Sequence, residues 1–310
     1  MGQATRNKIP LKQTLRYRMA KVWLLAHRTL RSIGGAYPIN SFRVLLFHDI
    51  APDKIPAFER LLNYLQNVHR ILSPEEANSL MSGQPLNSDN GRIPYLLTFD
   101  DGFLSHARIA KEILAQYDAK GLFFVCPGLI DVPKEQHPGL IAKLIFDGTV
   151  ARHDLPKDMG LMSWSDVEAL SASGHTIGSH GSTHRRLSGL GKDELEQEIL
   201  GAGIRLEERM GLHPDWFAYP FGDLPSINQE SLDAISSRYS FCCSGIRGVN
   251  SEKVHPLGLL REQLDFEGPF DYQQLVVEGG LDFYYVTSTK LLQTLADNTT
   301  EQSANPSGQI

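Results

Sequence analysis

Short apolar runs alternate with amphipathic stretches from residue 42 onward. Phe42 to Phe47 reads as a first strand, followed after a Pro-containing turn by a helix over about Pro56 to Val68. Ser73-Pro74-Glu75-Glu76 opens another helix with Pro at its first position. Tyr95 to Phe99 is the second strand, Ser105 to Tyr117 its helix, and Gly121 to Val125 the third strand. Ser163-Trp164-Ser165-Asp166 is a capping-box pattern for a helix to Ser173, stopped by Gly174 ahead of the strand His175 to Ser179. Lys192 to Met210 is the longest helix in this region. A strand over Trp216 to Tyr219, a helix over Ser226 to Arg238 and a strand over Tyr239 to Ser244 complete the series. Strand followed by helix, repeated, is the rhythm of a parallel sheet in the α/β class. At 310 residues the chain fits a (β/α) barrel as a single domain.

The ends break this pattern. Residues 1–40 form a basic extension with eight Lys/Arg and no Asp/Glu, which leaves the remainder with 22 basic against 36 acidic side chains, a charge of −14. The body is therefore expected to bind no nucleic acid. Within the extension, residues 11–32 are amphipathic, with Leu11, Leu15, Met19, Val22, Trp23 and Leu25 near helical spacing. Such a stretch either lies on an anionic membrane surface or packs on the barrel with its basic side solvated. The barrel is expected over 41–295 and a polar, disordered tail over 296–310. Residues 128–162, rich in Pro, Gly, His and Asp, read as either a lid or an insertion with a short helix at Leu140 to Phe146. Cys126, Cys242 and Cys243 are odd in number and lack CxxC spacing, and Lys12, Arg16, Arg18, Lys21, Arg28 and Arg31 interrupt any signal-like apolar run. The expected location is cytoplasmic, with peripheral contact at the inner membrane surface through residues 11–32.

Chemistry concentrates at strand ends. Thr98-Phe99-Asp100-Asp101-Gly102 places two adjacent carboxylates after a strand. Neighbouring strand side chains point to opposite faces, so both acids serve one site only if the backbone turns there, which Gly102 permits. Ser179-His180-Gly181-Ser182-Thr183-His184 supplies two imidazoles four residues apart. In a single helical turn their Cβ atoms lie about 5–6 Å apart on one side. Two imidazoles and a carboxylate are a ligand set for catalytic Zn²⁺ with a position left to water, so Asp101, His180 and His184 are candidate ligands. Asp100 is the spare carboxylate, placed to act as general base, to cap the following helix or to pair with an Arg.

With these segments the chain resembles the polysaccharide deacetylases of carbohydrate esterase family 4. Thr98 to Gly102 is similar to the family's first motif, in which the first Asp is the base and the second binds metal. His180 to His184 is similar to the second, the metal histidines. Phe217-Ala218-Tyr219-Pro220-Phe221-Gly222 is similar to the third in its Pro-aromatic-Gly end, where the aromatic's backbone N–H helps hold the oxyanion. That role falls to Phe221, with Pro220 in the same oxyanion and substrate-binding set. The resemblance covers roughly residues 42–290. It implies a distorted (β/α) barrel of seven or eight parallel strands and one divalent ion, Zn²⁺ foremost, with Co²⁺, Ni²⁺ or Fe²⁺ as alternatives.

Two departures stand out. Many members carry an Arg two positions before the third-motif Pro, where this chain has Ala218. Arg261, in Gly258-Leu259-Leu260-Arg261, is the candidate to tune Asp100, the alternative being a surface Arg. The family's C-terminal Leu-x-x-His has no counterpart, since no His follows Thr287. Leu45-Leu46-Phe47-His48-Asp49 is similar to it at the other end of the chain, as in the circularly permuted poly-N-acetylglucosamine deacetylases. His48 is then the expected general acid. His255 is its competitor, although Pro256 beside it suits capping, and His106, His137, His153, His175 and His213 are expected to be surface or structural. The implied activity is removal of N-acetyl groups from an amino-sugar glycan or glycan precursor, with acetate released and an N-acetylated saccharide as substrate. The alternatives are deformylation or another C–N amide hydrolysis on a lipid-linked or small substrate, and an inactive carbohydrate-binding relic.

Overall fold

Alternate residues of a strand point to opposite sides, and here both sides are buried, which is why the strands read as nearly continuous apolar runs. A computed structural model describes residues 11–34, 40–84, 92–264 and 266–304. Among them are the strands β1 (Arg43–Phe47), β2 (Arg70–Leu72), β3 (Pro94–Phe99), β4 (Gly121–Val125), β5 (Thr176–Ser179), β6 (Trp216–Ala218), β7 (Phe241–Cys243) and β8 (Glu262–Gln263). They pair in parallel in the order β7-β6-β5-β4-β3-β1-β8, with β2 also beside β3.

The two edges of this path meet through one segment. Leu259 bridges Cys243 in the parallel sense, its N–H donating to the Cys242 carbonyl at 2.9 Å. Three residues later β8 pairs with β1. The run 259–263 therefore touches β7 on one side and β1 on the other, and closes a distorted (β/α) barrel.

Val44, Leu96, Leu122, Phe124, Ala218, Cys243 and Leu259 pack together inside the ring. Leu45, Phe47, Leu97, Phe99 and Phe123 face outward, against Phe58, Leu61, Leu62 and Leu65 of the helix Ile55–Val68 and against Ile109 and Ile113. Each such fully buried Leu or Phe contributes about 1.5–3 kcal/mol. The same alternation fixes which polar groups reach the interior at the strand ends. His48 follows Val44 and Leu46, Asp100 follows Leu96 and Thr98, and Arg261 follows Leu259.

The extension and the tail are both more ordered than composition suggests. The helix Leu11–Gly34 docks beside the helix Phe270–Val277, with Tyr17 edge-on to Tyr272 and His27 bonded to the Glu278 carbonyl. Residues 296–304 are not a disordered tail: the helix Val286–Ala304 runs through them, with Leu292, Ala296 and Thr299 buried. Polar composition misled because Leu292, Ala296 and Thr299 share one face, which Gln229 clamps by donating to the Leu295 carbonyl and to Thr299 Oγ1. Asn305 to Ile310, like residues 1–10 of the extension, lie outside the described residues.

A buried ion cluster ties β1 to β8. Arg43, 1% exposed, bonds to Glu262 and Asp282, and Arg247 Nη1 reaches Glu262 at 2.9 Å. Removing one partner of such a cluster strands the others in low dielectric. Arg43→Met is expected to lower unfolding free energy by about 3–5 kcal/mol in urea titrations; a loss under about 1 kcal/mol, as for an exposed pair, would contradict the role given to the cluster.

Candidate active site

Five chain segments meet at the C-terminal rim of the barrel, where enzymes of this architecture place their chemistry. A cleft of 370 Å³ there is lined by His48, Asp100, Asp101, His180, His184, Phe221 and Arg261, among others. Strand pairing continues into the rim, Asp100 N–H donating to the Phe47 carbonyl and His180 N–H to the Val125 carbonyl, each at 2.9 Å. The chain then turns at Asp101 itself, with φ 76°, and at Gly102, with φ 71°. That turn brings both carboxylates to one cleft.

His180 and His184 converge without a helical turn. Residues 180–184 form an irregular loop in which Gly181 has φ 76° and His184 φ 62°, and the ring centroids lie 5.1 Å apart. Glycine at 181 removes the steric cost that a helix would otherwise have avoided. Glu198, buried in the helical run 192–210, holds the loop by accepting from Thr183 N–H at 2.9 Å and from the Thr183 hydroxyl, and its own carbonyl accepts from Ser182 N–H. Its signal in the sequence is a Glu at a position that helical spacing assigns to the apolar face, beside Leu195, Ile199 and Ala202.

The donor set of this cluster calls for a cation. His180 Nδ1 is bonded to the Ala218 carbonyl at 2.6 Å and His184 Nδ1 to the Leu144 carbonyl at 2.9 Å. A carbonyl only accepts, so each Nδ1 carries the proton and each Nε2 presents a lone pair. Both Nε2 atoms point at Asp101 Oδ1, at 3.3 and 3.2 Å, and neither Asp101 oxygen has a hydrogen-bond donor. Three buried acceptors within 4.8 Å of one another repel unless positive charge sits among them. Burial would lower the His184 imidazole, yet the Asp101 carboxylate draws it above its ordinary value. Burial likewise pushes Asp101 up, and the two histidines reverse this and hold it well below the usual carboxylate range. Asp101, His180 and His184 thus fit a divalent metal of the borderline class, and the carbonyls of Ala218 and Leu144 fix the ring orientations.

Asp100 is fully buried and gripped by Arg261. The guanidinium donates Nη1 to Oδ1 and Nη2 to Oδ2, both at 2.8 Å, with Nε bonded to the Ser244 carbonyl at 2.6 Å. Arg261 is itself completely buried, not a surface side chain. Burial alone would raise Asp100; Arg261 and then His180 outweigh it and leave the carboxyl below its ordinary value. The position left by Ala218 is thereby filled by the residue that precedes β8.

His48 lines the same cleft, and its ring makes no hydrogen bond among the described residues. Behind it, buried His106 donates Nε2–H to the His48 carbonyl at 3.2 Å, burial pushing its imidazole down to about 4 and keeping it neutral. Asp49 does not hold the His48 ring; it faces Ser105 and Arg108, away from the cleft. His255 caps the turn Pro256–Gly258 by accepting from Leu257 N–H. His137 and His175 are buried in backbone hydrogen bonds, while His153 and His213 lie at the surface.

Phe221 has φ 66°, its ring edges onto His184 at 4.7 Å, and its N–H has no acceptor among the described residues. A side chain at the next position would meet Gly245 N at 2.5 Å, so only Gly222 fits. Arg186 lies over the Phe221 ring at 3.9 Å, its guanidinium paired with Asp223 at 3.2 Å. Pro220 is buried behind the loop at Gly181 and does not line the cleft. Asp101, His184 and Phe221 are three of the six non-Gly residues with positive φ among those described. Such conformations cost about 1–3 kcal/mol each and gather where function requires them. The segment 128–162 supplies a wall: its helix begins at His137, and Leu144, Ile145 and Phe146 reach the metal cluster's edge.

The polysaccharide deacetylase family model matches residues 87–238. The chain carries a polysaccharide deacetylase domain over those residues. It is accordingly a hydrolase of the de-N-acetylase class. The matched span contains Asp100, Asp101, His180, His184 and Phe221; His48 and Arg261 lie outside it, His48 just after β1 and Arg261 just before β8. A search of curated proteins finds no match. Among solved structures, the deacetylase PplD of Streptococcus pyogenes, in complex with acetate, aligns with a TM-score of 0.58 at 19% identity, over 76% of this chain and 98% of its own. IcaB of Ammonifex degensii gives 0.58 at 21%, over 77% and 97%. A de-N-acetylase of Aggregatibacter actinomycetemcomitans gives 0.56 at 17%, over 76% and 99%. At these identities the likeness is one of fold, and this chain shares the barrel of all three.

Proposed function

We propose that this enzyme removes N-acetyl groups from an amino-sugar-containing glycan or glycan precursor and releases acetate. The observation that carries the reading is the division of labour between adjacent acids, Asp101 facing two imidazole lone pairs and Asp100 locked on Arg261 in the same cleft. Held by Asp101, His180 and His184, a divalent ion supplies Lewis acidity for the amide carbonyl and lowers the pKa of water. Asp100, kept ionised by Arg261, accepts the proton of the attacking water. Phe221 N–H donates to the oxyanion as charge develops there. His48, on the cleft wall, gives a proton to the departing amine, so that acetate and a free amino sugar result.

The test is acetate release from short N-acetylglucosamine oligomers by the purified chain. Activity is expected to vanish after chelation and dialysis and to return with Zn²⁺. Formate release from an N-formylated sugar without acetate release would instead favour the deformylase alternative. No product from either would leave a carbohydrate-binding relic.

A further inference from the structure

The outward face of the helix Leu11–Gly34 is apolar, where an exposed helix face is ordinarily polar. Tyr17, Ala20, Leu24, His27 and Arg31 recur at three- and four-residue spacing and turn toward the barrel, with Ala20 and Leu24 only 0% and 3% exposed. Leu15, Met19, Val22, Leu30 and Ile33 recur on the opposite side, at 63%, 47%, 60%, 69% and 80% exposure. The helix is thus docked on its own domain through its less apolar face, and the stripe that sequence spacing marks out points to solvent. Leu11 falls outside the side chains described.

Beside the stripe, Trp23 stacks toward Phe283 at 5.8 Å, and Phe283 contacts Tyr284 at 4.0 Å, both of them exposed. Arg16, Arg18 and Lys21 flank it, and none of the three is in an ion pair among the described residues. No helix among the described residues is long and apolar enough to cross a membrane.

We infer that this face docks the protein on an anionic lipid surface. The arrangement is that of an interfacial helix, with aliphatic side chains for the acyl boundary, Trp23 and Tyr284 at headgroup level and cations along the edges. Charge complementarity singles out lipid as the occupant. Residues 1–40 carry eight positive and no negative side chains, while the remainder carries −14 and is repelled by the same surface, so the protein is oriented as well as held. A second copy of the chain is a poorer match, because face-to-face packing of two stripes would oppose their basic flanks. The inference does not rest on the proposed deacetylation, and membrane binding, not turnover, decides it.

The experiment is cosedimentation of the full chain with phosphatidylcholine vesicles containing roughly a third phosphatidylglycerol, and with pure phosphatidylcholine, at low and high salt. Binding to the anionic vesicles is expected at about 0.05 M NaCl and is expected to fall at least about tenfold at 0.5 M, the direction that screening dictates. The variant Met19→Glu, Val22→Glu, Leu30→Glu is expected to lose at least about tenfold in binding while keeping wild-type circular dichroism and chelator-sensitive hydrolysis, since these side chains touch neither core nor cleft. Arg16→Glu, Arg18→Glu, Lys21→Glu, which leaves the apolar stripe intact, is expected to weaken binding to anionic vesicles alone. Absence of sedimentation with anionic vesicles at low salt overturns the inference, and so does equal binding by the wild type and the apolar-stripe variant. A wild-type dimer in sedimentation equilibrium that the stripe variant dissolves would overturn it in favour of a second copy.

Discussion

Asp100→Asn is expected to lower kcat by at least about 10²–10⁴-fold while the protein still binds one metal ion, whereas His180→Ala is expected to lose both metal and turnover. The separation follows from geometry. Asp101, His180 and His184 face one another, and Asp100 lies outside that trio, its Oδ2 being 3.8 Å from His180 Nε2 while both its oxygens are taken by Arg261. The substitution has a structural cost as well. An Asn amide offers one oxygen to one Nη and turns its NH₂ against the other, leaving a buried guanidinium without its counter-charge, which is worth about 3–5 kcal/mol. Kinetics should therefore be measured where circular dichroism shows the variant fully folded, alongside metal analysis of the same sample. More than a tenth of wild-type kcat in folded Asp100→Asn would remove Asp100 as the base. Loss of metal from that variant would remove the distinction between the two acids.

The strands were legible because parallel strands covered on both faces leave apolar runs bounded by turn residues, as at Phe42 to Phe47 and Gly121 to Val125. β2 and β8 were not legible, since Arg70-Ile71-Leu72 and Glu262-Gln263 mix in charged and polar residues and form no apolar run of their own. The helix Val286–Ala304 was hidden by its polar side. At the rim, the acids and histidines could be placed by their position after strands, but the path of residues 180–184 could not. A spacing of four suggests a helical turn, and the convergence comes instead from two left-handed residues and a Glu198 clamp that sits more than ten residues away. Arg261 was visible only as a residue in need of a partner. What places it is alternation: Leu259 points into the barrel, so Arg261 does too, and β8 is joined to β1 while β1 is joined to β3, which Asp100 follows. Inter-strand neighbours of that kind are set by topology, which local sequence does not contain.

Arg261→Met is expected to change the enzyme in a pH-dependent way that distinguishes tuning from mere packing. In the native protein Asp100 titrates below its ordinary value. A carboxyl of depressed pKa contributes stability that is present above the unfolded pKa, about 3.9, and lost as pH falls through the folded one. Without the guanidinium, burial acts unopposed by its largest counterweight, and an opposite charge at this range is worth about 1–3 pKa units. The Asp100 carboxyl then titrates at or above its unfolded value and the sign reverses, so that acidification stabilises the variant relative to neutral pH. The acid limb of kcat/KM should move up by a similar amount, and the loss of activity should be far larger at pH 5 than at pH 8. Arg261→Lys keeps a point charge but not the paired donors, and is expected to recover part of the acid limb and less of the stability. Urea midpoints and pH–rate profiles of the three proteins check both halves together. A uniform loss of activity across pH, with urea midpoints that keep the wild-type pH slope, would reduce Arg261 to a packing residue and send the search for what keeps Asp100 ionised elsewhere in the cleft.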